Sequence, residues 1–159
     1  MTIAETVKAY LESQGVRFEL VAHPLSYSSR ETAAAAHVQD DHIAKAVILK
    51  DAHGFLTAVI PGSHWIKLHT LRQELNRPLK LAPEAEIETL FRDCQPGAIP
   101  PLGPAYNLET VLDEALTTLA NVYFEAGDHE HLVRVSGEDF RWLLGGARHG
   151  FFSHPAAGE

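Results

Sequence analysis

Lys45 stands in the run His42-Ile43-Ala44-Lys45-Ala46-Val47-Ile48-Leu49, at the mouth of an apolar segment and with alanine on each side. Its neighbours neither shield nor pair its ammonium, which leaves a cation available for chemistry. The structural alternative is a strand-end lysine whose stem snorkels to water. The second candidate is Gln95-Pro96-Gly97-Ala98-Ile99-Pro100-Pro101-Leu102-Gly103-Pro104, which holds four of the chain's nine prolines. Consecutive prolines stiffen the backbone, and Gly97 permits close approach to a ligand. Free amides near Gly97 and Ala98 would suit a carbonyl or an oxyanion. The same segment also reads as a long structural connection.

Other reactive residue types carry less. The ten histidines are densest in Asp128-His129-Glu130-His131. On a strand His129 and His131 would share a face, but a metal site needs a third ligand and none can be named, so no metal is expected. Cys94 falls near the end of a predicted helix, where the dipole disfavours a thiolate, and reads as a partly buried structural cysteine. Trp65 and Trp142 read as packing residues. Neither a phosphate-binding Gly-Lys-Ser/Thr loop, nor G-x-G-x-x-G, nor G-x-S-x-G occurs, and no cofactor is expected.

These groups must be positioned by one core. The 159 residues, 45% of them apolar and 21% charged, fit a single globular domain. One cysteine excludes a disulfide framework and every multi-cysteine metal site. No segment approaches the ~20 apolar residues of a membrane span, and Met1-Thr2-Ile3-Ala4-Glu5 does not open a signal peptide. A soluble, cytoplasmic domain is expected. Its formal charge of −8 argues against a broad grip on duplex nucleic acid, yet is compatible with a small basic pocket for the end of a strand.

Periodicity predicts the elements. Thr2 and Glu5 have capping-box spacing, and Ile3, Val7, Tyr10 and Leu11 recur at helical intervals before Gly15. Val16, Phe18 and Leu20 alternate as in a strand, which His23-Pro24 ends. Ser28 and Glu31 repeat the capping-box spacing ahead of a short helix through Ala33–Ala36. Residues 46–49 and 55–60 read as a hairpin closed by Pro61-Gly62. Leu68, Leu71 and Leu75 mark a helix; residues 79–81 form a short strand, and a further helix starts at Pro83-Glu84. After the proline segment come strands near 109–113, 121–125 and 131–135, then a capped helix over 136–144. Residues 150–159 read as a frayed tail outside a 1–149 domain. Hairpins and short helices, without regular βαβ alternation, give an α+β class.

In order along the chain, Lys45, Val59-Ile60-Pro61-Gly62, Gly97-Ala98-Ile99-Pro100-Pro101-Leu102-Gly103 and Glu125-Ala126-Gly127 resemble the YbaK/prolyl-tRNA-synthetase-associated domain family. The likeness runs from about residue 3 to 146. It implies a single-domain, β-barrel-like mixed sheet core with surrounding helices. It also implies hydrolysis of the ester joining a wrong amino acid to the 3′ end of a tRNA, without metal or cofactor. Lys45, Gly97 and Pro101 match the catalytic elements, with Lys45 a point charge on phosphate or ribose oxygens. Ala98, Ile99, Pro100, Gly103, Gly127 and His131 match the substrate-binding ones, His131 as a selector of the amino acid. An aminoacyl ester is already activated, so placement and charge stabilisation suffice. Val21 or Ala22 and Leu132 stand where the cysteine-directed branch carries Tyr and Asp, which favours a small residue such as Ala, with Ser possible, on tRNA(Pro) or similar. The implied partners are the 3′-CCA acceptor end, gripped by Lys45 with some of Arg30, Lys50, Lys67 and Lys80, and an aminoacyl-tRNA synthetase. The alternatives are a non-catalytic tRNA-binding or regulatory module of the same fold, and a metal-dependent hydrolase built on His129 and His131.

Overall fold

A computed structural model describes residues 2–26 and 28–156. Its centre is the hairpin of β2 (Ala44–Asp51) and β3 (Gly54–Pro61), in register from Ala44 opposite Pro61 to Asp51 opposite Gly54. The Asp51 carboxylate accepts the His53 amide at 2.8 Å, and Gly54 supplies the φ of +127° that the tight turn requires. Residues 56–61 of β3 are buried without interruption, because both faces of the strand are covered. Leu56, Ala58 and Ile60 pack with Leu71, Leu79 and Phe152, while Val59 packs with Leu112, Phe124 and Val133. That is the period of two expected of a strand.

β6 (Glu109–Asp113) lies parallel to β3, β9 (Arg148–Gly150) lies parallel to β6, and β5 (Lys80–Leu81) pairs with β2. The five-stranded sheet therefore runs β5-β2-β3-β6-β9. A second, antiparallel sheet runs β1-β8-β7, from β1 (Glu19–Ala22), β7 (Asn121–Glu125) and β8 (His131–Ser136). A bridge between Ile43 and Tyr123 brings the two sheets together where β2 begins. A third pair joins β4 (His64–Ile66) to β10 (Ser153–Pro155). The α+β class holds, and none of these sheets closes into a barrel.

Helices α1 (Glu5–Ser13), α2 (Ser29–Ala36), α3 (Leu68–Leu75), α4 (Glu84–Leu90) and α5 (Gly137–Leu143) stand where periodicity placed them. Ser28 and Ser136 cap α2 and α5 by accepting the amides of Glu31 and Asp139. α1 differs: Ala4 holds its cap position and offers no side-chain acceptor, so the Thr2–Glu5 box does not form. β1 also begins at Glu19, later than Val16. The Val16 amide closes onto the Leu11 carbonyl at 3.3 Å behind Gly15 (φ +68°), so residue 16 completes the helix end. Among the described residues no helix is long and apolar enough to cross a membrane.

The expected frayed tail is corrected. β9 and β10 are both paired, Phe152 is 1% exposed, and Asp113 Oδ2 accepts the Phe152 amide at 3.0 Å and the Ser153 hydroxyl at 2.9 Å. Residues 157–159 lie outside the described part.

Candidate active site

Lys45 is the second residue of β2, opposite Ile60, and its half-buried Nζ donates to the Gly62 carbonyl at 3.2 Å. Burial lowers its pKa, and the nearby Asp40 charge works in the opposite direction. Gly62 can take this place because a Cβ there would stand 3.0 Å from both the Asp40 carbonyl oxygen and Ser29 Cβ. The Pro61-Gly62 stop is thus also the rest that holds the lysine.

The proline segment reaches the same place through Gly97, whose φ of +82° favours glycine. The segment is pinned at one end by the Gln95 amide on the Gly127 carbonyl at 2.8 Å. His129 Nε2 donates to the Pro96 carbonyl at 2.6 Å, with the ring packed beneath Gly97. One amide expected to be free is not, because Ala98 N–H closes onto the Gln95 carbonyl at 3.0 Å. No described residue accepts from the Gly97 amide.

Lys45, Gly97 and Ile99 line one cavity of about 160 Å³, together with Ser28, Thr32, Ala46, Glu125 and His129. The other expected residues do not line it. Ala98, Pro100, Pro101 and Gly103 are buried behind the segment, and a Cβ on Gly103 would overlap Thr110 Oγ1. Gly127 (φ +106°) packs against Ala4 and Cys94 and anchors Gln95, so it positions the segment and does not face the cavity. His131 faces a separate hollow lined by Ile3, Lys8 and Phe18, and its Nδ1 pairs with Asp128 Oδ2 at 2.6 Å. Burial pushes the Asp128 carboxyl up, but bonds from the Glu130 amide and from His131 hold it low.

The histidine that reaches the Lys45 cavity is His129, with φ +61° in the turn before β8. Because it is not on the strand, its spacing of two from His131 does not put the rings on one face. Cys94 is partly buried, with burial first among the causes that push its thiol up to about 12. Lys50 is tied to Glu86 at 2.6 Å.

Sequence reasoning missed Glu125 as a side chain. Burial raises its carboxyl to about 7, against the Thr32 hydroxyl bond and with help from the Asp128 charge. Thr32 Oγ1 donates to Oε1 at 3.2 Å, while the buried Oε2 has no hydrogen-bond partner among the described residues. His23, whose side chain is fully buried, faces Oε1 from 3.8 Å, and among the described residues its Nε2 has no hydrogen-bond partner either. Its Nδ1 donates to the Pro24 carbonyl at 2.8 Å.

Comparison with known proteins matches residues 23–143 to the model of the aminoacyl-tRNA editing domain. The proline–tRNA ligase of Bacillus cytotoxicus is 24% identical over 144 residues, covering 87% of this chain and 25% of the ligase. Proline–tRNA ligase 1 of Bacillus thuringiensis subsp. konkukian is 25% identical with the same coverage. The chain therefore spans about a quarter of the length of the curated relatives it matches. Among solved structures, a hypothetical protein superposes with a TM-score of 0.82 at 25% identity, covering 94% of this chain and 100% of that one. A candidate trans-editing enzyme for prolyl-tRNA synthetase superposes with a TM-score of 0.81 at 23% identity, over 94% and 95%, a likeness of fold.

Proposed function

The chain belongs to the aminoacyl-tRNA editing domain family, and on that premise we propose that it is a trans-editing deacylase for mischarged tRNA. The observation that carries this reading is the meeting of Lys45 and Gly97, far apart in sequence, at one small cavity. Lys45 sits as a point charge for the terminal phosphate or ribose oxygens of the 3′-CCA end. On this reading the Gly97 amide donates to the oxyanion that forms when water attacks the ester carbonyl. The new bond joins water oxygen to carbonyl carbon; the ester bond to ribose breaks, and the ribose oxygen leaves with a proton. Pro101, with Pro100 and Gly103, acts from behind by holding the segment rigid.

A cavity of about 160 Å³ suits a small acyl group, so alanine on tRNA(Pro) is the favoured substrate, with serine next. A cytoplasmic setting and delivery by a synthetase accompany this reading. The engaged Ala98 amide is the observation that favours the second reading, a tRNA-binding module without turnover. Deacylation of alanyl-, seryl- and cysteinyl-tRNA(Pro) by the wild-type protein separates the two. Turnover of the alanyl or seryl ester ahead of the cysteinyl one is expected. A folded protein that turns over none of them would contradict the deacylase.

A further inference from the structure

Glu125 places a carboxyl group in the wall of the Lys45 cavity, with one buried oxygen that no described residue partners. Such a group is costly unless something arrives to pair with it. The charged and titratable groups around it are His23 at 3.8 Å, Asp128, whose charge acts against its ionisation, and Lys45 and His129 in the same cavity wall. Thr32 fills Oε1, and Thr32 is itself fixed by Ser26 at 2.6 Å, so the carboxylate is held from one side only. The hydroxyls of Ser28, Ser29 and Thr32 and this one carboxylate make that wall fit for a compact cation with several N–H donors.

We propose that Glu125 receives the α-ammonium group of the acyl substrate and so confines the cavity to esters of amino acids with a free amine. The identity of the ligand rests on the deacylase reading; the recognition of an amine does not need turnover. A charge-assisted hydrogen bond in a buried setting is the stronger kind, and a pair charged on both sides forms only with the protonated amine. A cation beside the Glu125 carboxyl would also restore it toward the usual carboxylate range, so the amine and the ionised carboxylate stabilise each other.

The test is binding of 3′-alanylamino-3′-deoxyadenosine, in which an amide replaces the ester, against its N-acetyl derivative. Wild type should bind the free amine roughly tenfold or more tightly. Glu125→Gln should bind both alike, and Glu125→Asp should keep a reduced preference. Equal binding of the two compounds by wild type, or a preference that survives in Glu125→Gln, overturns the assignment, as does failure to bind either. Deacylation of alanyl-tRNA(Pro) is measured beside it. Turnover without amine preference defeats only the Glu125 assignment, and amine preference without turnover on the tRNA panel defeats only the deacylase.

Discussion

At the scale of residues, Gly97 and Glu125 do opposite things for the cavity. Gly97 is there for its backbone: with φ +82° and a Cβ that would meet His129 Cε1 at 3.4 Å, alanine is strained. Gly97→Ala should cost about 1–2 kcal/mol of stability and lower deacylation more than it lowers the melting temperature. Unchanged turnover would remove Gly97 from the site. Glu125 is there for its charge, at the expense of stability. Its carboxyl titrates near 7 in the fold against 4.5 when free, chiefly through burial, with Thr32 and Asp128 acting in opposite directions and His23 facing it. An acid whose folded pKa is raised is least harmful when protonated. Its native-state penalty is absent below about pH 4.5, grows as pH rises toward 7 and is then constant, reaching roughly 3 kcal/mol at most. Thermal melts of wild type and Glu125→Gln should therefore coincide near pH 4 and diverge by pH 8, with the variant the more stable. A gap independent of pH would contradict the raised pKa.

At the scale of elements, the strands and helices that carry the site are legible in the sequence, and the failures among its side chains have local causes. The β2–β3 hairpin, the α2 cap and the strands at 109–113 and 121–125 carry strong periodic signals, so Lys45 was placed at a strand mouth correctly. His131 is the histidine to which the family resemblance points, but it is His129, in a left-handed turn before β8, that lines the Lys45 cavity. Glu125 alternates with Val122 and Phe124 as a solvent-facing residue would. Its burial comes from α2 and Thr32, 93 residues away, which a single sequence does not show. β9 and β10 are three residues each, too short for any period, and so the C-terminal segment read as frayed. Phe152→Ala should cost about 3–5 kcal/mol by urea unfolding, whereas Phe151→Ala, at a position 73% exposed, should change stability by less than about 0.5 kcal/mol. Equal small effects would mean that the segment does not seal the core.

At the scale of the whole molecule, the deacylase reading requires a chain of charge −8 to hold a polyanionic substrate locally. With Lys50 occupied by Glu86, the grip falls to Lys45 and few other cations. Contact with about two phosphates of a single-stranded end gives a slope of log affinity against log salt of about −1.4. A slope near −6 by filter binding would instead mean a broad tRNA surface. The central claim is that Lys45 acts in chemistry and not in folding. It is tested most directly by single-turnover deacylation of alanyl-tRNA(Pro) with wild type and Lys45→Ala, each accompanied by a thermal melt. The account predicts a fall in rate of about a hundredfold or more with the melt of the folded variant essentially unchanged, since the side chain is half-buried and makes one hydrogen bond. A Lys45→Ala protein that deacylates at the wild-type rate would contradict it.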